Sequence, residues 1–422
     1  MDSISKIIKK LGTSLVLKDM SNLAYAKIIA SGVGLVSTIA MTKILGFKNF
    51  GIYQLILAYS SILSNMYVSG NNFYVYKAYC SGVHDYLKVA ISDSILVGII
   101  LSLAIGVAHK LFPDTLGHSN SIVALGVIIS FLPITSYFEQ ILQAKKKFRL
   151  LRNIKGMQSI LVSSTTVVTA YLSNNIEYVL LSYFVTNLGF NSICWFLTLK
   201  HHSPEETGHP DIPILRKASW KHSKFNVIMG LSSKLDRVIL GSISPELLTT
   251  YHLAQSSPTR IKELFKSTQL SPITHWSSLS GTLYLKNTIK YRPYIISAGC
   301  LVLFLATVIT FIMELSFYSD RSFEVSLTFS AFLITIPAVF SYWNHVVLNH
   351  NMHCSDGNFF RKANLACKIV SLPACLILII NFQYWGALAY ASVSPITLLV
   401  FSSYYLRKQD PFPHSRTIEN NL

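Results

Sequence analysis

Apolar windows close to the roughly 20 residues that cross a bilayer recur along almost the whole chain, separated by short polar breaks. They predict about twelve spanning helices, at roughly 21–43, 51–69, 90–109, 121–143, 157–173, 178–199, 225–243, 248–272, 293–315, 325–349, 365–382 and 385–406. The eighth is the most polar, carrying Arg260, Lys262, Glu263 and Lys266. No loop is long enough to fold alone. The largest polar segment, residues 200–224, is rich in Pro and His and falls mid-chain. It reads as a cytoplasmic linker between a six-helix lobe at 1–199 and another at 225–422. The expected fold class is an all-α polytopic membrane protein of two six-helix bundles.

An internal repeat supports that division. ILGFKNFGIYQLILA (Ile44 to Ala58) joins the first two spans, and ILGSISPELLTTYHLA (Ile239 to Ala254) joins the seventh and eighth. Each has Ile-Leu-Gly ending a helix, a short exterior turn, then Tyr and Ala in the next helix. Gly46 and Gly241 are expected at helix ends, where a left-handed residue costs least. Repeats packed about an axis are a usual transporter plan.

Composition agrees with the pattern. Of 422 residues, 51% are hydrophobic and 13% are Asp, Glu, Lys or Arg, against about 25% charged in soluble domains. The formal charge of +17 suggests nucleic acid until its distribution is considered. An N-terminus in the cytoplasm places Lys6 to Lys18, the run Lys145 to Lys155, Arg216 to Lys221, Lys286 to Arg292, Arg361–Lys362 and Arg407–Lys408 on the same side. Only Lys48, Lys110 and Arg321 fall opposite. The positive-inside rule thus accounts for the basic excess, sets both termini in the cytoplasm and removes the case for a nucleic-acid partner. The first residues lack the apolar core and cleavage site of a signal peptide, so the chain is expected to start near Met1. The six cysteines imply no disulfide framework.

The seventh span raises a chemical question, because Lys234, Asp236 and Arg237 lie inside it. Its apolar residues return roughly 3–6 kcal/mol on insertion, against about 7–10 kcal/mol for three central charges. The charges must pair, snorkel or line a wet cavity. Lys234 and Arg237 share a face and Asp236 points away from Lys234. Either Asp236 pairs with a cation on another helix, or the group lines a hydrated cationic cavity.

Polar stripes run along the first span (Lys27, Ser31, Gly34, Thr38, Thr42) and the second (Gln54, Ala58, Ser61, Asn65), fitting either interhelical packing or a lumen. Packing does not need the ammonium of Lys27. Arg260 adds a cation in the second half, with Glu263 at i+3 as a candidate intrahelical partner. A lumen lined by Lys27, Lys234, Arg237 and Arg260 would attract phosphate or pyrophosphate. Lys77 is placed either for first contact with such a ligand or as one more topology lysine.

Three carboxylates, Asp93, Glu139 and Glu314, lie in or near spans, close enough to helix ends for interfacial water to explain them. Were transport coupled to protons or sodium, Glu139 would be the first candidate to carry the ion. The run of His345, His350, His353 and Cys354 lacks a second matched pair, so no metal site and no cofactor are expected. No Walker loop, dinucleotide turn, GxSxG or HExxH is present.

Two helical halves, each opening with Leu-Gly, a turn and a following Tyr and Ala, resemble the Wzx-type polysaccharide flippases of the multidrug/oligosaccharidyl-lipid/polysaccharide exporter superfamily. The likeness concentrates at TKILGFKNFGIYQLILAYSSILSNMYVSGNNFYVYKAY and LSSKLDRVILGSISPELLTTYHLAQSSPTRIKELF. Phe47 stands where the family usually has Pro, and Thr249 and Thr250 where it often has Gly. The resemblance implies a bacterial inner-membrane carrier that moves polyprenyl-pyrophosphate-linked oligosaccharide, such as an O-antigen repeat unit, by alternating access. It implies lumen-facing roles for Lys27, Lys234, Arg237 and Arg260, with Asp236 orienting or partly neutralising them. Membrane lipids and glycan polymerase or assembly proteins are the partners it suggests. The alternatives are a drug exporter of the same fold, or a membrane enzyme such as a glycan polymerase or O-acyltransferase using His345.

Overall fold

The computed structural model describes residues 2–66, 70–111, 134–200, 211–268, 292–317, 326–337 and 358–408, and all its regular elements are helices. They are α1 (Asp2–Met66), α2 (Gly70–Cys80), α3 (Tyr86–Leu111), α4 (Tyr137–Ala144), α5 (Phe148–Ser173) and α6 (Ile176–Lys200). After these come α7 (Ile212–Ile243), α8 (Pro245–Thr268) and α9 (Arg292–Phe317), then α10 (Leu327–Pro337) and α11 (Asn358–Lys408).

Two of the longest helices break where the sequence anticipates separate spans. In α1 the break is Gly46, at φ 75° and ψ 167°, a region essentially closed to side-chain-bearing residues. In α11 it is Gln383, at φ 45° and ψ −115°, between the expected spans 365–382 and 385–406. Residues 121–133, within the expected fourth span, lie outside the described residues, as does the end of the tenth.

Large apolar side chains cover much of the described surface, and hydrogen-bonding side chains share the interior with apolar ones. Val36, Tyr171, Leu172, Phe196 and Ile369 are largely exposed, while Asn71, Ser219, Thr249, Ser257, Thr310 and Ser330 are buried. Among the described residues four stretches, Lys27–Ser64, Tyr86–Leu103, Ile176–Thr198 and Asn364–Leu398, are long and apolar enough to cross a membrane. Apolar side chains outside and hydrogen-bonded polar ones inside suit a hydrocarbon solvent. The first-span stripe follows this rule. Thr38 Oγ1 donates to the Gly34 carbonyl at 2.7 Å and Thr42 Oγ1 to that of Thr38 at 2.8 Å, both side chains being buried. These two hydroxyls bond back to carbonyls of their own helix.

The chain divides into two compact units, residues 28–249 and residues 1–27 with 250–422. In the first, Met41, Leu45, Phe50 and Tyr53 of α1 pack on Ala170 of α5 and Val179, Leu180 and Phe184 of α6. A tight turn with Asn174 left-handed at φ 46° joins α5 to α6. Up the resulting hairpin Thr169 Oγ1 bonds Ser182 Oγ at 3.1 Å, Thr165 Oγ1 bonds Thr186 Oγ1 at 3.3 Å and Gln158 Nε2 bonds Asn191 Oδ1 at 2.9 Å. A second core joins Val75 and Tyr79 of α2, Tyr86 and Ala90 of α3, and Tyr137 and Ile141 of α4.

In the other unit Tyr384 OH donates to Ser330 Oγ at 2.8 Å, and Ser257 bonds Thr310 and the Ala306 carbonyl. Glu314 of α9 caps α10. Its carboxylate accepts the backbone N–H of Leu327 at 3.2 Å and of Thr328 at 2.9 Å, and the hydroxyls of Ser326 and Thr328. It satisfies donors that a helix start leaves open. Interfacial water is not needed to explain this carboxylate.

The repeat is legible in packing as well. Tyr53 meets Tyr183 edge-on, with centroids 6.5 Å apart at 89°. Its counterpart Tyr251 meets Tyr384 edge-on at 6.4 Å and 87°. The two turns themselves are not equivalent. Gly46 breaks its helix as expected, but Gly241 lies within α7, which ends at Ile243 with Ser244 as its C-cap. A Cβ at Gly241 would fall 2.8 Å from Leu248 Cδ2 and 2.9 Å from Leu55 Cδ1, so this glycine serves close packing and not termination. Within the 28–249 unit the two repeated turns meet at a backbone contact, where a Cβ on Gly51 would fall 1.9 Å from the Pro245 carbonyl oxygen. Beside it Thr249 Oγ1 donates to the Phe47 carbonyl at 2.6 Å. Phe47 and Thr249, two positions that depart from the flippase pattern, thus bond each other.

Gly51→Ala is expected to cost about 1–3 kcal/mol through overpacking against backbone. Gly32→Ala, whose Cβ meets nothing within 4 Å, should stay within about 0.5 kcal/mol of the parent. Glu314→Ala should cost about 1–2 kcal/mol by uncapping α10. Melting of the purified protein in detergent measures all three.

Candidate functional site

Helix α7 begins at Ile212, with Pro213 in its first turn, and runs without a break through the segment read as a linker into the span that carries Lys234, Asp236 and Arg237. Its first turns are bound to α2 and α3 by a buried polar network. Asn71 is the centre, and all its hydrogen-bonding capacity is used. Its Nδ2 donates to the Ala90 carbonyl at 3.0 Å and to Ser94 Oγ at 3.3 Å. Its Oδ1 accepts from Tyr86 OH at 2.9 Å and from Ser219 Oγ of α7 at 2.6 Å. Ser94 and Tyr137 share a bond of 2.6 Å, and the Gly70 N–H donates to Ser223 Oγ at 2.9 Å. A Cβ on Gly70 would sit 2.3 Å from the Ser219 carbonyl oxygen, so the glycine lets α2 reach the α7 backbone.

Beside this network Asp93, 3% exposed, accepts Arg216 Nη2 at 2.6 Å and Nε at 3.0 Å, and Trp220 Nε1 at 3.0 Å. Interfacial water, expected at this carboxylate, is replaced by a two-pronged guanidinium and an indole, because the side chain is buried. The hydrogen bonds to Asp93 hold the Arg216 pKa above its ordinary value. Arg216 and Trp220 also border a groove of about 760 Å³ with Val89, Ile212, Pro213, Lys217, Lys221 and Lys224.

Glu139 of α4 pairs with Lys155 of α5, and Lys155 Nζ reaches Gln158 Oε1 at 3.4 Å. Gln158 also bonds Asn187 Oδ1 at 3.2 Å. The candidate coupling carboxylate therefore sits at the end of a row of amides.

The four cations assigned to a lumen divide between the units. Lys27 and Arg260 belong to one, and Lys234 and Arg237, with Asp236, to the other. Lys27 Nζ lies 3.6 Å from Glu263 Oε2, with the two side chains 40% and 47% exposed, so this acid acts on α1. Asp236 is buried and one of its oxygens accepts the Arg237 backbone N–H at 2.9 Å. Lys77 is exposed in the last turn of α2. His345, His350, His353 and Cys354 lie outside the described residues. Sequence reasoning missed Asn71, Arg216 and Trp220 as a unit, and Lys155 as the partner of Glu139. The available signal was Asp93 itself, since a carboxylate in an apolar window demands a cation.

The chain matches the family described as polysaccharide biosynthesis protein over residues 16–245, more than half its length. It belongs to that family. A search of curated proteins finds no match for this member. Its structure is similar to that of the Vibrio cholerae MATE transporter VcmN in a mutant form, with TM-score 0.65 and 10% identity, covering 95% of this chain and 98% of that one. It is also similar to MATE in complex with MaL6, with TM-score 0.64, 12% identity and 94% and 98% covered. An inward-facing multidrug resistance MATE family transporter of the MOP superfamily gives 0.54 at 11% identity, with 93% and 96% covered. This polysaccharide biosynthesis protein is accordingly a multi-pass helical membrane protein with the MATE fold.

Arg216→Ala is expected to cost about 1–3 kcal/mol, because it strands a buried carboxylate, and Asp93→Asn should cost a similar amount. Arg216→Lys should recover only part of the loss, since an ammonium cannot make the paired contact. In the Asp93→Asn/Arg216→Ala double variant the losses should be less than additive, as read by a thermal-melting cycle.

Proposed function

We propose that this chain is a flippase that carries a polyprenyl-pyrophosphate-linked oligosaccharide, an O-antigen repeat unit or similar surface glycan, from the cytoplasmic to the outer leaflet of a bacterial inner membrane by alternating access. Membership of the polysaccharide biosynthesis family is the observation that carries this reading. The MATE-type fold over 95% of the chain supports a carrier in preference to an enzyme.

Lys27, Arg260, Lys234 and Arg237 are the cations proposed to meet the pyrophosphate along its path, with Lys77 near its start. Asp236 and Glu263 temper their charge, so that the anion is held and also released. The Lys27–Glu263 pair is half-exposed, and a pyrophosphate with more charge than one carboxylate can displace that acid. Glu139 is proposed for ion coupling, the choice of proton or sodium being open. A proton on Glu139 would dissolve its pair with Lys155. Glycan polymerase and assembly proteins are the proposed partners.

A drug exporter is the second reading, favoured by the multidrug resistance transporter among the structural neighbours. Embedded cations disfavour lipophilic cationic drugs.

Protein in liposomes with a labelled polyprenyl-pyrophosphate oligosaccharide should expose the label to an external probe. The Lys27→Gln/Arg237→Gln variant should do so about 10–100-fold more slowly, the equivalent of losing one or two charge-assisted hydrogen bonds. Unchanged flipping by a folded variant would exclude the cationic path. Tight binding of lipophilic cations without glycan flipping would favour the exporter.

A further inference from the structure

The first four or so turns of α7 have two faces with different duties. One is docked: Leu215 packs into the α2–α3–α4 core, and Ser219 and Ser223 hold Asn71 and the Gly70 N–H. The other carries Lys217, Lys221 and Lys224, all exposed, at the i, i+4, i+7 spacing that aligns side chains on one face of a helix. These lysines line the groove of about 760 Å³ together with Val89, Pro213 and Trp220, and no carboxylate is among its described lining residues. Asp93, the nearby acid that Arg216 and Trp220 bind, is committed to them.

The groove therefore combines apolar side chains, an indole and a row of lysines. It lies just ahead of Phe225, where α7 passes from charged to apolar sequence, on the side that the positive-inside rule assigns to the cytoplasm. Lysine ammonium groups with apolar stems alongside an indole match a phosphate headgroup above the start of acyl chains. The topology lysines elsewhere need only face water. Here they are registered on a helix held at Asn71 and Asp93, beside a groove.

We propose that this groove binds the phosphate headgroup of an acidic phospholipid of the cytoplasmic leaflet. Because the docked face fixes α7, the lipid meets a preformed site. The same continuous helix carries Lys234, Asp236 and Arg237, so the lipid anchors the cytoplasmic end of the element that holds those charges.

The test uses the full chain in nanodiscs of phosphatidylcholine with a minor fraction of photoactivatable phosphatidylglycerol. Crosslinked lipid is quantified and mapped for the parent and for Lys217→Gln/Lys221→Gln/Lys224→Gln, which leaves Arg216, Trp220 and Asp93 intact. A Lys145→Gln/Lys147→Gln/Arg149→Gln variant removes the same number of charges elsewhere on that side. Labelling at α7 should fall about 10–100-fold in the first variant only, with melting unchanged. Equal loss in both variants, or no loss in either, would overturn the proposal by reducing the row of lysines to net charge or to nothing. It would also be overturned if polyprenyl pyrophosphate labelled the groove while phosphatidylglycerol did not, since the ligand would then be the transported lipid.

Discussion

Hydrocarbon offers no hydrogen bonds, so the polar groups this chain takes into its helical interior are driven to find partners within the protein. The threonines of the first span bond back to their own helix, and the serines and threonines of α5 and α6 bond across their hairpin. The three carboxylates obey the same demand in different ways. Asp93 takes an arginine and an indole, Glu139 a lysine, and Glu314 the open N–H groups of a helix start. Groups that look like isolated functional charges in the sequence are thereby accounted for before any ligand is considered. For the proposed transport this leaves the cations with the acids beside them, and Glu139 together with the lysine it is paired to.

The repeat shows how two related halves are adapted to different positions. The edge-on tyrosine pair recurs almost unchanged, since packing two rings against helix backbones has few good solutions. The turns diverge. Gly46 is needed for its own conformation, whereas Gly241 and Gly51 are needed for what approaches them. A glycine that admits a neighbouring backbone and one that breaks a helix look the same in a motif, because both are defined by an absent side chain.

Helix α7 is where architecture and chemistry meet. Its early turns are anchored by Asn71 and Asp93, and its later turns carry Lys234, Asp236 and Arg237. An arginine at 216 gives that anchor direction, since a guanidinium can satisfy both oxygens of a buried carboxylate at once. A lysine would neutralise Asp93 without fixing the angle of the helix. On the proposed flippase reading such positioning is consequential, because the charges of α7 would have to keep their registration while the helix moves.

Sequence alone determined the membrane character, the helical class, the break at Gly46 and the resemblance to flippases. Each of these depends on local hydrophobicity, on a residue's own backbone freedom or on short motifs. The division near 383 was also legible, as a dip between two apolar windows. Tertiary structure alone decided which groups pair. Arg216 lies more than a hundred residues from Asp93, and Ser219 further still from Asn71, so no local pattern links them. It also decided that Glu263 reaches Lys27 of α1. Partnership between distant charges is set by which helix faces the fold brings together, and periodicity along one strand of sequence places a residue on a face without saying what that face meets.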